Sequence, residues 1–148
     1  MPFRRVLALG MVGAVFLATA AIPAQAGERS RKHRARVLRL VNDLRTDRGI
    51  RPLKINRDLS TYAWKHSVSM ARQRRLFHSS NLQTRLRTYR ASSWGENLGM
   101  AGTPRRVVKM WMKSSVHRAN NLDRRFHHAG IGVVKSGGRF WLTMIFYG

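Results

Sequence analysis

The first apolar run of the chain is continuous rather than periodic. Val6 to Ile22 is apolar apart from small residues and Thr19, with Arg4 and Arg5 before it and Ala24-Gln25-Ala26 after Pro23. At 17 residues it is short against the roughly 20 that a membrane-spanning helix uses. A positive start, an apolar middle and a small-x-small end predict an export signal over 1–26, cleaved before Gly27. Beyond it the pattern becomes periodic. Residues 27–36 read as a basic arm, frayed or the ragged start of a helix. Val37, Leu40, Val41 and Leu44 fall at helical spacing, and Gly49 is a stop signal, so a first helix is expected over about 34–48. Pro52 biases Arg51 away from helix, so an extended connection follows. Leu59, Tyr62, Ala63, His66, Met70 and Ala71 share one helical face, which predicts a second helix opening near Asn56 or Asp58 and ending by Leu76. A short helix is expected over 82–89 and a short strand over 97–100. Thr103-Pro104 is a capping residue followed by proline at the first helical position. The helix it opens has Val107, Val108, Trp111 and Met112 on its apolar face and ends near Ser115. Ile131 to Val134, the turn Ser136-Gly137-Gly138 and Phe140 to Tyr147 read as a terminal β-hairpin. Helices followed by a hairpin predict an α+β fold with helices packed on an antiparallel sheet. Residues 27–148 amount to one domain with one modest core.

Charge changes this picture more than any other property. The formal net charge is +23, of which Arg4 and Arg5 supply only two, and Arg outnumbers Lys 23 to 6. A surface of this kind attracts polyanions, and guanidinium groups grip phosphate in bidentate fashion. A compositional bias toward Arg with a solvated basic surface accounts for the same numbers equally well. For an exported chain, anionic cell-wall polymer or lipid headgroups fit as partners better than a specific nucleic acid. There is no cysteine. Disulfide stabilisation, a thiolate nucleophile and thiolate metal ligands are therefore excluded.

Acidic residues are scarce. Between residues 59 and 122, Glu96 is the only carboxylate amid 12 basic residues. It lies in Trp94-Gly95-Glu96-Asn97-Leu98-Gly99, where a lone carboxylate needs a partner: an arginine such as Arg118, a histidine pair, or a metal. His78, after the apolar end Leu76-Phe77, and His117, after the third long helix, are the histidines that stand out by context. Two neutral imidazoles and one carboxylate are a plausible donor set for zinc, with a fourth position for water. A hydrogen-bonded structural role explains each of them as well. His33 lies in the basic arm, His66 faces the helix stripe, and His127 and His128 precede a strand. No nucleophile elbow, phosphate loop or His-Glu-x-x-His helix is present, and no second acid lies close to Glu96 in sequence for a glycosidase pair.

Taken in order, these segments resemble the CAP superfamily of cysteine-rich secretory, antigen-five and pathogenesis-related proteins, in its cysteine-free bacterial branch. The resemblance rests on Val41-Asn42-Asp43-Leu44-Arg45 with Gly49 and Pro52-Leu53, on Phe77-His78-Ser79, and on Gly95-Glu96-Asn97-Leu98. It rests further on Trp111-Met112 with Ser115, His117-Arg118-Ala119-Asn120 and Leu122, on Gly130-Ile131-Gly132-Val133, and on Phe140-Trp141-Leu142-Thr143. It covers 37–148. It implies an α-β-α sandwich around a three-stranded antiparallel sheet, and a cleft where His78, Glu96 and His117 converge and where family members can bind a divalent metal, often zinc. The chain departs from the family pattern at three places. The helix matching 104–115 lacks the second cleft glutamate of many members, Ser115-Val116 stands in place of Pro-Gly, and Thr143 to Phe146 is less polar than usual.

The leading expectation is a secreted or envelope-associated CAP-domain binding protein, with a cleft of His78, Glu96 and His117 and a basic surface for anionic partners. The alternatives are a metal-assisted hydrolase with Glu96 as candidate catalytic residue, a lipid or sterol carrier with Met100, Met110, Met112 and Met144 lining a groove, or a membrane-active cationic protein.

Overall fold

The computed structural model describes residues 21–148, with side chains from residue 27 onward. Apart from the start of the first helix, the expected export signal over 1–26 lies outside the described residues. The elements are α1 (Ala21–Thr46), β1 (Lys54–Ile55), α2 (Arg57–Gln73), α3 (Leu82–Arg87), β2 (Trp94–Ala101), α4 (Pro104–Lys113), α5 (Ser115–Leu122), β3 (His128–Ser136) and β4 (Arg139–Tyr147). Residues 27–36 belong to α1, which is longer than its apolar stripe suggests. Ser30 Oγ donates to the Val133 carbonyl at 3.2 Å, and the His33 ring meets Phe140 edge-on at 4.8 Å. The stretch read as an arm is thus docked on the sheet.

The three-stranded antiparallel sheet expected from the resemblance is not what forms. The sheet has four strands in the order β1-β3-β4-β2, and β1 runs parallel to β3 while the other pairs are antiparallel. The cause is local. Asn42 holds both backbone groups of Leu53, donating from Nδ2 to its carbonyl at 3.0 Å and accepting its N–H at 2.8 Å. Pro52 disfavours helix for Arg51 just before. The extended chain then donates from Lys54 N to the His127 carbonyl and from Asn56 N to the Ala129 carbonyl, at 2.9 and 2.8 Å. Asn56 also caps α2, its side chain accepting from Leu59 N, so strand and helix share one boundary residue.

Side chains alternate across β4 and divide the core into two layers. Phe140, Leu142, Met144 and Phe146 face α1 and α4, where Val37, Val41, Val107, Val108 and Trp111 complete the larger cluster. Trp141, Ile145 and Tyr147 face the α2 side, packing with Leu59, Ala63, Met70 and Ala71. Helices therefore cover both faces of the sheet, and β2 is left as an edge strand. The site is built along that edge.

Candidate functional site

Glu96 sits near the start of β2, and the pairing of that strand decides which way it points. Ser93 and Gly148 exchange both backbone hydrogen bonds, each 3.1 Å, which fixes the phase of the β2–β4 ladder. Glu96, Leu98 and Met100 then share the α2 side, while Gly95, Asn97 and Gly99 face α4 and α5. Glycine is required on that second side. A Cβ on Gly95 would lie 2.7 Å from Asn120 Oδ1, and one on Gly99 would collide with Val107.

The Glu96 side chain is 3% exposed, whereas the His78 side chain is 70% exposed. The carboxylate accepts from Ser79 N at 3.1 Å and from Ser79 Oγ at 2.6 Å, and pairs with His78 Nδ1 at 2.6 Å. Three of its roughly four acceptor positions are thus filled. Against a carboxylate, His78 Nδ1 is the donor, and the lone pair of the neutral ring is on Nε2. The segment bearing His78 is held by a second histidine: His66 Nε2 lies 2.7 Å from the Phe77 carbonyl, and its ring packs edge-on against Phe77. Arg118, the alternative partner for Glu96, donates instead to the Met112 carbonyl.

His117 reaches the same edge from the other face of the sheet. Its helix, α5, is not marked by an apolar stripe; it is tied to β2 by amides. Asn97 Nδ2 donates to the His117 carbonyl at 2.9 Å and to Asn121 Oδ1 at 3.1 Å, and Asn97 Oδ1 accepts from Asn120 at 2.9 Å. His117 Nδ1 lies 2.9 Å from Ser114 Oγ. Burial, and then the neighbouring His78, hold the His117 pKa below the ordinary histidine value, so this imidazole favours its neutral form.

The donor chemistry suits a divalent ion only in part. Among the described residues no three His, Asp or Glu side chains are disposed to hold one metal ion. The two imidazoles remain as nitrogen donors, and the carboxylate is turned toward His78 and Ser79. Ser79, Ser114, Asn97 and Asn120 are the site residues that the sequence left without roles. For Ser79, Asn97 and Asn120 the signal was membership of the Phe77-His78-Ser79, Gly95-Glu96-Asn97 and His117-to-Asn120 motifs, whereas Ser114 lies outside them. His128 stacks on Tyr147 at 4.9 Å, and His127 donates its backbone N–H to the Tyr147 carbonyl. The methionines do not gather into one groove: Met144 is fully buried and Met110 is 49% exposed. Met112 and Met100 line separate cavities.

The family model of the cysteine-rich secretory protein family, CAP, matches residues 38–146. The chain belongs to that family. Over 109 residues this CAP domain is 35% identical to the uncharacterised protein YkwD of Bacillus subtilis strain 168, covering 69% of this chain and 42% of that relative. The chain thus spans less than half the length of that relative. Among solved structures, an extracellular protein containing an SCP domain from Bacillus anthracis strain Ames superposes with a TM-score of 0.73 at 22% identity, over 84% of this chain and 43% of the other. A cysteine-rich secretory protein from Staphylococcus aureus Mu50 gives 0.68 at 23% identity, over 81% and 40%. An outer surface protein of Borrelia burgdorferi gives 0.70 at 17% identity, over 78% and 92%. These likenesses establish the fold. No helix among the described residues is long and apolar enough to cross a membrane.

Proposed function

We propose that this CAP domain is an extracellular binding module. Its cleft takes a divalent metal, zinc, on the imidazoles of His78 and His117, and its basic surface docks on an anionic envelope partner, wall polymer or lipid headgroup. An export-type segment over 1–26, and the extracellular and secretory descriptions of the Bacillus anthracis and Staphylococcus aureus proteins, support the location. The observation that carries the reading of the cleft is the occupation of the Glu96 carboxylate by His78 Nδ1 and by both donors of Ser79. A carboxylate held this way orients an imidazole and strengthens it as a ligand. With three of its roughly four acceptor positions filled and its side chain only 3% exposed, Glu96 is poorly placed to take a proton from a substrate water, so binding is favoured over hydrolysis.

Calorimetric titration of the protein with zinc tests this. One-to-one binding is expected, abolished in His78→Ala and weakened about 10- to 100-fold in Glu96→Gln, as for removal of an orienting carboxylate elsewhere. No binding, or binding that His78→Ala retains, would make the three residues a structural hydrogen-bond cluster and leave the basic surface as the functional part.

A further inference from the structure

Four residues further along β2 from Glu96, a second depression opens on the α2 side of the sheet. It is an open-sided cavity of about 480 Å³ between the C-terminus of α2 and the β3–β4 turn. Arg74, Ser136 and Arg139 supply its polar side chains, and Ala71, Met100 and Trp141 its apolar ones. None of these residues belongs to the histidine cleft.

The backbone fixes where these side chains start. Arg74 ends α2 in the left-handed conformation, φ 51° and ψ 33°, with its N–H on the carbonyls of Met70 and Ala71. Glycine or asparagine is the usual occupant of such a position. Gly137 and Gly138, at φ 57° and 72°, close a tight turn that sets Ser136 directly opposite Arg139. Met100 and Trp141 are register partners on β2 and β4.

The polarity of the cavity is one-sided. Its polar side chains are two guanidiniums and a hydroxyl, and no carboxylate lines it. Among the described residues neither Arg74 nor Arg139 makes an ion pair or a side-chain hydrogen bond, while the acids that do form pairs are Glu28, Glu96 and Asp123. Trp141 is 5% exposed, and its Nε1 is the one buried side-chain polar atom among the described residues without a hydrogen-bond partner. Buried donors are ordinarily satisfied. A cavity with two unpaired guanidiniums and an apolar wall that includes Trp141 and Met100 lacks an anionic acceptor.

We propose that this cavity binds an organic phosphate monoester. The guanidiniums of Arg74 and Arg139 take the phosphate, and Trp141 and Met100 take the apolar group of the ester. Two guanidiniums match the double charge of a phosphate monoester, and each can grip two oxygens. The volume lies in the range of small-molecule sites.

The test is a ¹H–¹⁵N titration of the full chain at fixed ionic strength, reading the Trp141 indole resonance, which is assigned by its loss in Trp141→Phe. Phenyl phosphate and inorganic phosphate are the probes. Phenyl phosphate is expected to shift that resonance saturably, at a midpoint about tenfold lower than inorganic phosphate. Arg139→Gln and Arg74→Asn, the latter compatible with the left-handed position, should each raise the midpoint about tenfold, the effect of losing one charge-assisted contact. Lys113→Gln, on α4, should leave it unchanged. Absence of a saturable shift, or the same midpoint in Arg139→Gln, would overturn the site. Equal midpoints for the two probes would overturn the apolar half of it. An equal loss in Lys113→Gln would reduce the binding to general charge attraction. Each variant is compared with the parent by thermal melting, so that a change in binding is read on a folded protein.

Discussion

One residue joins distant parts of the chain through backbone carbonyls rather than apolar contact, and it is an arginine. Arg45 is fully buried. Its guanidinium donates to four backbone carbonyls, those of Arg51, Asn121, Asp123 and Phe126, at 2.8–3.0 Å. It thereby ties the end of α1 to the turn after it, to the last turn of α5 and to the stretch between α5 and β3. Burial lowers its pKa and the nearby Asp123 opposes that shift, yet arginine keeps its proton at any relevant pH. Arg45→Met would take this donor from all four carbonyls, of which, among the described residues, only that of Asp123 has another, the Phe126 N–H. The expected cost is roughly 3–5 kcal/mol, the range for breaking a buried charged network. Urea unfolding of parent and variant measures it, and a loss below about 1 kcal/mol, the range of an ordinary surface change, would contradict the role given to this side chain. The sequence carried one clue: Arg45 continues the four-residue spacing of Val37 and Val41, a core position occupied by a charge. Nothing else separates it from the other arginines, because burial of Arg depends on carbonyls up to 81 residues away.

At the level of elements, periodicity revealed what is held by apolar contact and missed what is held by amides. The stripes of α1, α2 and α4 were legible because each buries one continuous face, and the terminal hairpin because β4 is apolar on both faces and follows a glycine turn. The helix α5 was not, since Asn121 is its one fully buried residue. The two-residue strand β1 was not, since no alternation exists over two residues and its partner lies beyond residue 127. The cleft was legible in part. His78, Glu96 and His117 were singled out by context and resemblance, whereas the serine and asparagine contacts that orient them depend on the pairing phase of β2. Asn97 is the test of this polar mode of attachment. It donates two hydrogen bonds to α5 and accepts one from it. Asn97→Ala should remove about 1 kcal/mol per bond. Amides of α5 would then exchange with solvent at least about tenfold faster, while those of α2 keep their protection. Unchanged exchange across α5 would mean that apolar packing, and not this network, holds the helix and the imidazole of His117.

Across the whole molecule, unbalanced positive charge outweighs every other electrostatic feature. The chain carries a formal +23, and the ion pairs among the described residues involve only Glu28, Glu96 and Asp123 on the acidic side. Self-repulsion on this scale destabilises the compact state and is screened by salt. Three histidines add a pH dependence of known sign. His33, His117 and His128 all have pKa values lowered from 6.5, with burial as the largest cause. Arg36 and Lys135 add repulsion at His33, His78 at His117, and His127 and Lys54 at His128. A lowered histidine binds fewer protons in the folded state than in the unfolded one. Its contribution is therefore complete above the unfolded value and is lost as pH falls through the folded value. The acidic groups do not cancel this. Asp123 is lowered chiefly by its hydrogen bond from Arg125, and a carboxylate of that kind gives up its contribution only in the carboxylate range, well below the histidine window. Histidine linkage and charge repulsion thus act in the same direction between about pH 7.5 and 5.5, since each proton gained adds to the excess positive charge. Melting curves at those two pH values, each at low and high sodium chloride, separate the two effects. The melting temperature should fall on acidification at both salt levels and rise with salt at both pH values, with the larger rise at the lower pH. A melting temperature that holds steady or climbs on acidification would show that the imidazoles are solvated in the folded state. A melting temperature insensitive to salt would show that the arginine excess is already neutralised by bound anions.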